Sequence, residues 1–454
     1  MLLASLFHSG DVSHRDFVGS DEAEGRVKIY QKALDKALQR VAVSKIYKQL
    51  SKKRKYFRIA DLEYLLMETA LCIVYSNSES VSTSAIKQRF EDSSSPLKKW
   101  IDESFQDKNK DSDVSKLINS LLTSFYICLE RQGNDTSLRF VHKSFGEFLF
   151  AEKLKQTALE NFYLKKYSKE VIYKSIYELI GHGELTKEIV KYFTILIFQE
   201  DGCISGFGKF KKFFSQLYEF YWDWSEDNRL FESNTLEHIS KSECGFRHRD
   251  IYVGINIIIL LLELCRYARL KKYPMDLLPF HLCHKGGDSL SIDTGKLLRL
   301  IGYSYFLNKQ SQEYNSDENF TRVVGGYLEK IDLSNAKLTG VNLSNADLRG
   351  AILSKADLRR SVLFGADLRG ADLRGADLSG CDLREAKLDR VDLNDAVLVG
   401  ASWSLDLGNA DFNSADLSHS SFRNANLENA TLQNTNLQNT SRVSASQMLL
   451  TTGF

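Results

Sequence analysis

Proline is almost missing from this sequence: Pro96, Pro274 and Pro279 are the three in 454 residues. Because proline ends or kinks a helix, its scarcity leaves room for long uninterrupted helices. The seven cysteines are an odd number without framework spacing, which argues against a disulfide scaffold and suits free thiols in a reducing compartment. No segment reaches the ~20 apolar residues of a bilayer-spanning helix. The most apolar one, VGINIIILLLELC (Val253–Cys265), is apolar on all sides and reads as a helix buried in a core. The opening MLLASLFHSG lacks the basic residues of a signal peptide. An excess of either charge is missing as well, with 60 Lys+Arg against 59 Asp+Glu. The balance is 48 against 44 in residues 1–330 and 11 against 15 in residues 331–440, too even to argue for a nucleic-acid partner. A cytoplasmic protein with no membrane association is the expectation.

A complete catalytic constellation is also lacking. A P-loop needs G-x-x-x-x-G-K-[ST], whose amides and lysine cradle phosphates. The nearest stretch, GGDSLSIDTGKLL (286–298), has the wrong glycine spacing and a leucine where Ser or Thr is required. Cys244, His248, His281, Cys283 and His284 are metal-capable, but C-x3-H and H-x-C-H are not the spacings of a common zinc finger. No enzyme activity, resident cofactor or metal is expected.

What the chain does have is a five-residue period. Fourteen positions five apart, from Leu333 to Leu398, are all leucine. In a helix this spacing advances each leucine by about 140° and forms no stripe. In a flat strand it throws successive leucines to opposite faces. Only a chain that bends once per repeat keeps every leucine on one side. Two residues before each leucine sits a small or short side chain, mostly alanine, as a narrow interior requires. Leu368, Leu373 and Leu378 are therefore expected to be structural, pointing inward, and residues such as Asp367, Arg369, Asp372 and Arg374 to point outward. The period breaks once: the position after Leu398 is Trp403, and the next good centres are Leu407, Phe412 and Leu417, so one repeat is a residue short. A kink or outward loop at Trp403 is a candidate partner-binding spot; an insertion scar without function fits as well.

This pattern, A(D/N)LXX, resembles the pentapeptide-repeat family from 328 to about 440. The resemblance implies a right-handed quadrilateral β-helix with four repeats per coil. About 23 repeats would give nearly six coils, a rod ~25–30 Å long at the ~4.8 Å inter-strand spacing. Some members of the family mimic DNA and bind topoisomerases.

The first 330 residues read as helical, with runs at Glu22–Val41, Ala60–Tyr75, Val114–Phe125, Phe145–Leu159, Lys169–Gly181, Leu185–Gln199, Phe207–Tyr221 and Asp250–Leu270. YICLE (126–130) and LRFVH (138–142) instead read as a hairpin around Gly133-Asn134. Ser144 and Glu147 then form an S-x-x-E capping box, with Ser144 the predicted N-cap. Helix, helix, hairpin, helix is a winged-helix-like order, so the predicted fold class is multidomain: an α-helical N-terminal half with a winged-helix-like unit, then the β-helix.

RFVHKSFGEFLFAEKL (139–154) is similar to the F-x-H-x-x-F-x-E-F-x-x-A motif that closes the winged-helix domain of NACHT and NOD-like (STAND) NTPases. RVKIYQKALDKALQR (26–40) is similar to the R-x-x-L-Y helix that follows their nucleotide-binding core. The resemblance implies a remnant of that core at 1–20, a helical and winged-helix-like domain at 21–157, an α-helical linker domain at 158–325, the repeats at 326–440 and a C-terminal cap at 441–454. It also implies that His142 contacts a nucleotide phosphate; a packing role at the hairpin–helix corner is the alternative. The function implied is that of a regulatory, ligand-sensing arm of a NACHT-type signalling ATPase, with a protein partner and an ATPase core supplied from upstream. A stand-alone scaffold or topoisomerase-type inhibitor is the competing expectation.

Overall fold

The computed structural model describes residues 22–43, 59–76, 80–82, 127–132, 135–140, 142–158, 169–200, 207–226, 246–273, 324–402, 410–419 and 428–440. The expected helix at 114–125, the remnant at 1–20, the cap at 441–454, Trp403 and the Cys/His set at 281–284 lie outside the described residues. The chain divides into two units, Met1–Phe213 and Phe214–Phe454.

In the first unit, α1 (Glu22–Val43) opens with Glu22 and Glu24 in its first turn, where carboxylates favour the positive end of the helix dipole. Its buried residues Val27, Ala33, Leu34, Ala37 and Leu38 recur at helical spacing. The second helix, α2 (Ile59–Tyr75), buries Leu66, Met67, Ala70 and Leu71. The short strand β1 (Val81–Ser82) joins β2 (Ile127–Gln132) and β3 (Asp135–Phe140) in an antiparallel sheet of order β1-β3-β2. The hairpin register runs from Ile127 opposite Phe140 to Gln132 opposite Asp135. The strands thus extend further into RQGNDTS than the expected loop, and β1 is an addition to the expected hairpin.

The hairpin leads into α3 (Lys143–Ala158), which is buried from Phe145 through Leu154. Burial on all sides follows because α3 packs against β3 on one side and against α2 and α5 (Lys187–Glu200) on others. Between α3 and α5 lies α4 (Lys169–Ile180). The contacts of α5 with α3 and α1 tie it to the elements before residue 158, inside the first of the two units. The units part within α6 (Phe207–Glu226), whose Phe210 meets Phe198 with ring centroids 4.3 Å apart.

At Gly146, α3 lies directly against the Phe140 ring of β3. A Cβ there would lie 2.5 Å from Phe140 Cδ2. Replacing Gly146 with Ala therefore sets a helix-propensity gain of about 1 kcal/mol against an overpacking cost of about 1–3 kcal/mol. We expect a net loss, read as a lowered melting temperature of the helical part. A raised melting temperature would show that the Phe140 ring gives way freely.

In the second unit, α7 (Phe246–Leu270) buries an unbroken run from Val253 to Cys265, as expected of a helix apolar all round. The one carboxylate in that run, Glu263, accepts two hydrogen bonds from Arg266, at 2.7 and 2.6 Å. Among the described residues no helix is long and apolar enough to cross a membrane. Then the repeats begin. Asp332 pairs in parallel with Ile352, Ile352 with Asp372, and Asp372 with Asp392, so one side of the stack returns every four repeats. The Gly325–Tyr327 turn stands in for the coil before the first: Asp347 N donates to Gly325 O at 3.0 Å. At the short repeat, Asp392 pairs with Asp411 and Val397 with Asp416, one residue closer than elsewhere, and the normal interval resumes from Asp411 to Thr431. The deletion is therefore absorbed within a single coil.

Candidate functional site

The outward surface of the coils is built by one device repeated. The leucine and the short residue before it face inward; Leu368, Leu373 and Leu378 are wholly buried. After each leucine the chain turns, closed by a bond such as Ala371 N to Leu368 O at 2.9 Å. The second residue after the leucine takes the left-handed conformation, as at Gly370, where φ is +68°. Asparagine at five such positions and glycine at seven fit this, because those residues enter that region most readily. The Asp or Asn before the leucine holds the turn from the side: Asp372 Oδ1 accepts the backbone N–H of Arg374 at 3.1 Å, and Asp382 that of Arg384 at 3.1 Å. This Asx-type bond is the physical reason for Asp or Asn at that place in A(D/N)LXX.

Where arginine follows the leucine, the same aspartate also takes its guanidinium in a fork. Arg349, Arg359, Arg369, Arg374 and Arg384 each bind the aspartate two residues earlier through Nε at 2.8 Å, with Nη2 at 2.6–2.7 Å on the second oxygen. Two also reach the next coil, Arg359 to Asp377 at 3.7 Å and Arg374 to Asp392 at 3.6 Å. The residues expected to point outward are thus also paired along the surface. The signal that finds the pairs is the D-L-R spacing itself: with leucine turned inward, its two neighbours share the outward side. Further along, Asp392 and Asp411 have no such arginine. Asn394 Nδ2 donates to both, at 2.7 and 3.2 Å, and Thr431 adds a bond to Asp411.

The arginine fork holds the Asp357 carboxyl down at about 2, against an ordinary 3.8. Asp367, Asp372 and Asp382 are lowered by their own arginines in the same way. A carboxylate with a lowered folded pKa stabilises the fold above its unfolded pKa, near 3.9, and stops doing so as pH falls through the folded value. We expect the melting temperature of the coils to be flat above about pH 5 and to fall from about pH 4 towards pH 2. A melting curve unchanged down to pH 2 would show the forks to be without weight.

The helical half holds the other candidates. His142 is exposed, and its carbonyl accepts the Phe145 N–H at 3.0 Å. Helix α3 starts at Lys143, so Ser144 lies inside the first turn rather than ahead of it. Glu147 is buried, and its Oε1 accepts from Thr186 Oγ1 at 3.0 Å; Thr186 in turn takes the Ile189 N–H at the start of α5. The carboxylate expected at the cap of its own helix thus serves the neighbouring one, because α5 packs directly over it. Burial raises the Glu147 carboxyl above its ordinary range. Beside it, Tyr30 of α1 packs on Phe145 and Phe148 of α3, with centroids 5.8 and 5.6 Å apart. Among the described residues no group of His, Cys, Asp and Glu could hold a metal ion.

The repeat region also stands out in comparison with known proteins. The model of the pentapeptide repeats (8 copies) matches residues 327–365, 361–402 and 406–441. Solved structures similar to this chain include HetL of the cyanobacterium Nostoc sp. strain PCC 7120, a pentapeptide repeat protein involved in heterocyst differentiation regulation. It is 31% identical, over 25% of this chain and 68% of that one, with a TM-score of 0.17. A pentapeptide repeat protein of the Arabidopsis thaliana thylakoid lumen is 32% identical, over 19% and 69%, with a TM-score of 0.13. QnrB1, a plasmid-mediated fluoroquinolone resistance protein, is 22% identical, over 25% and 64%, with a TM-score of 0.16. No curated protein matches the chain.

Proposed function

Through residues 327–441 the chain belongs to the pentapeptide-repeat family, and from that premise we propose that it is a non-enzymatic binding protein, the regulatory and sensing arm of a NACHT-type signalling ATPase. A partner protein docks on the outward side chains of the coils, which wind right-handed. The observation that carries the reading is the meeting of two distant stretches. Tyr30, from the segment similar to the R-x-x-L-Y helix, packs on Phe145 and Phe148, from the segment similar to the closing motif of the winged-helix domain. In this reading α2, the three strands and α3 form the winged-helix-like unit. His142 stands exposed to receive a nucleotide phosphate held by an ATPase core encoded upstream or in an adjacent gene, and the pair acts in the cytoplasm.

The test uses the purified chain with and without that core. Alone, the chain is expected to hydrolyse neither ATP nor GTP, because it has no P-loop lysine. Added to the core, it is expected to tighten ADP binding about tenfold, or about 1.4 kcal/mol, and His142→Ala is expected to remove that gain. Steady hydrolysis by the chain alone, or a core indifferent to it, overturns the reading.

One observation favours the scaffold or topoisomerase-type inhibitor acting by surface mimicry. Residues 391–419 contain Asp392, Asp395, Asp406, Asp411 and Asp416 and no lysine or arginine. Inhibition of a DNA topoisomerase that disappears in Asp411→Asn/Asp416→Asn would decide for it.

A further inference from the structure

A cleft of about 440 Å³ opens between α1, α2 and α3 on the helical unit, within the range of small-ligand sites. Its floor includes the buried Leu34. One wall is a stripe of α1, Lys28, Gln31, Lys32 and Asp35, at helical spacing; the other holds Glu63 of α2 and Glu152, Lys155 and Gln156 of α3. Three lysines face three carboxylates, so the lining carries no net charge, but the charge is not evenly paired. Glu152 and Lys155 satisfy each other at 3.0 Å. The side chains of Lys28, Asp35 and Glu63 make no hydrogen bond or ion pair with any described residue. Burial raises the Glu63 carboxyl, the neighbouring Glu152 and Asp35 raise it further, and Lys155 acts in the opposite direction. One end of the cleft therefore gathers three carboxylates, Asp35, Glu63 and Glu152, around Lys155, an excess of negative charge, while Lys28 stands at the other, seven residues and about 10 Å along the helix axis.

We propose that this cleft binds a short zwitterionic peptide, its ammonium group between Asp35 and Glu63 and its carboxylate at Lys28. The separation of the two ends selects the ligand. A single amino acid has its charges too close together to reach both, whereas an extended tripeptide spans about 10 Å. A polyamine would satisfy the carboxylates but meet Lys28 and Lys32 with like charge, and a dianion would meet the opposite conflict. The site is separate from the coils and does not depend on the docking of a partner there.

The test is calorimetric titration of the full chain with triglycine, N-acetyltriglycine and triglycine amide at low salt. Triglycine is expected to bind at least tenfold more tightly than either blocked analogue, because each lacks one of the two charges. Glu63→Gln is expected to weaken triglycine at least fivefold without lowering the melting temperature, since it removes an unpaired carboxylate from the fold. Lys28→Ala should make triglycine and its amide bind alike. Absence of triglycine binding at millimolar concentration overturns the proposal, as does equal binding of N-acetyltriglycine. Spermidine binding more tightly than triglycine would also overturn it, by showing the cleft to be a cation site.

Discussion

Leu373→Asp should unfold the coils as a block. Leu373 is wholly buried in the middle of the stack. The substitution removes about 2–3 kcal/mol of apolar burial and forces a carboxyl group with no partner into the interior, at a further cost of several kcal/mol. Its backbone sits in the ladder as well: Leu373 N donates to Asp392 O at 2.7 Å, so displacing it disturbs the coil below. Stacked repeats depend on their neighbours, and the loss is expected to spread across the stack in one transition. Arg374→Ala, one residue on, is the contrast. Its side chain is exposed, where ion pairs are weak, and its melting curve should lie within about 2 °C of the parent. Equal effects of the two substitutions would show that the inward assignment of the leucines is wrong.

A comparably large loss is expected from Lys153→Met. Lys153 Nζ lies 3.0 Å from Glu68 Oε1, and both side chains are more than nine-tenths buried. The same ammonium stands 3.6 Å from the centre of the Tyr64 ring. Methionine keeps the volume but removes the charge opposite Glu68. Breaking a buried pair from one side typically costs about 3–5 kcal/mol, whereas replacing both partners by apolar groups is often neutral. The double variant Lys153→Met/Glu68→Leu should therefore recover most of the loss in a denaturant titration. If it unfolds as readily as the single variant, the contribution of Lys153 lies in packing on Tyr64 and not in its charge.

In the repeats, sequence and structure agree because the sequence constraint is local. A leucine every five residues, a short side chain two before it and a residue tolerant of the left-handed region two after it together define one bend, and each coil copies the last. Even the short repeat was legible from the shift between Leu398 and Phe412, and the ladder interval changes there and nowhere else among the described pairs. In the helical half, seven of the expected helices lie close to their observed bounds, since scarce proline and helical apolar spacing act within each segment.

The tertiary structure decided what depends on neighbours distant in sequence. Burial of α3 on all sides, the need for glycine at 146, the turning of Glu147 to Thr186 and the placement of Tyr30 on Phe145 and Phe148 all require β3, α5 and α1 to be packed in place. The cleft is of the same kind. Its walls come from three helices, and only their packing sets Asp35 beside Glu63 and leaves Lys28 at the far end. A five-residue repeat carries its contacts in its own spacing. A helix carries only a face, and what that face meets is fixed by the other helices.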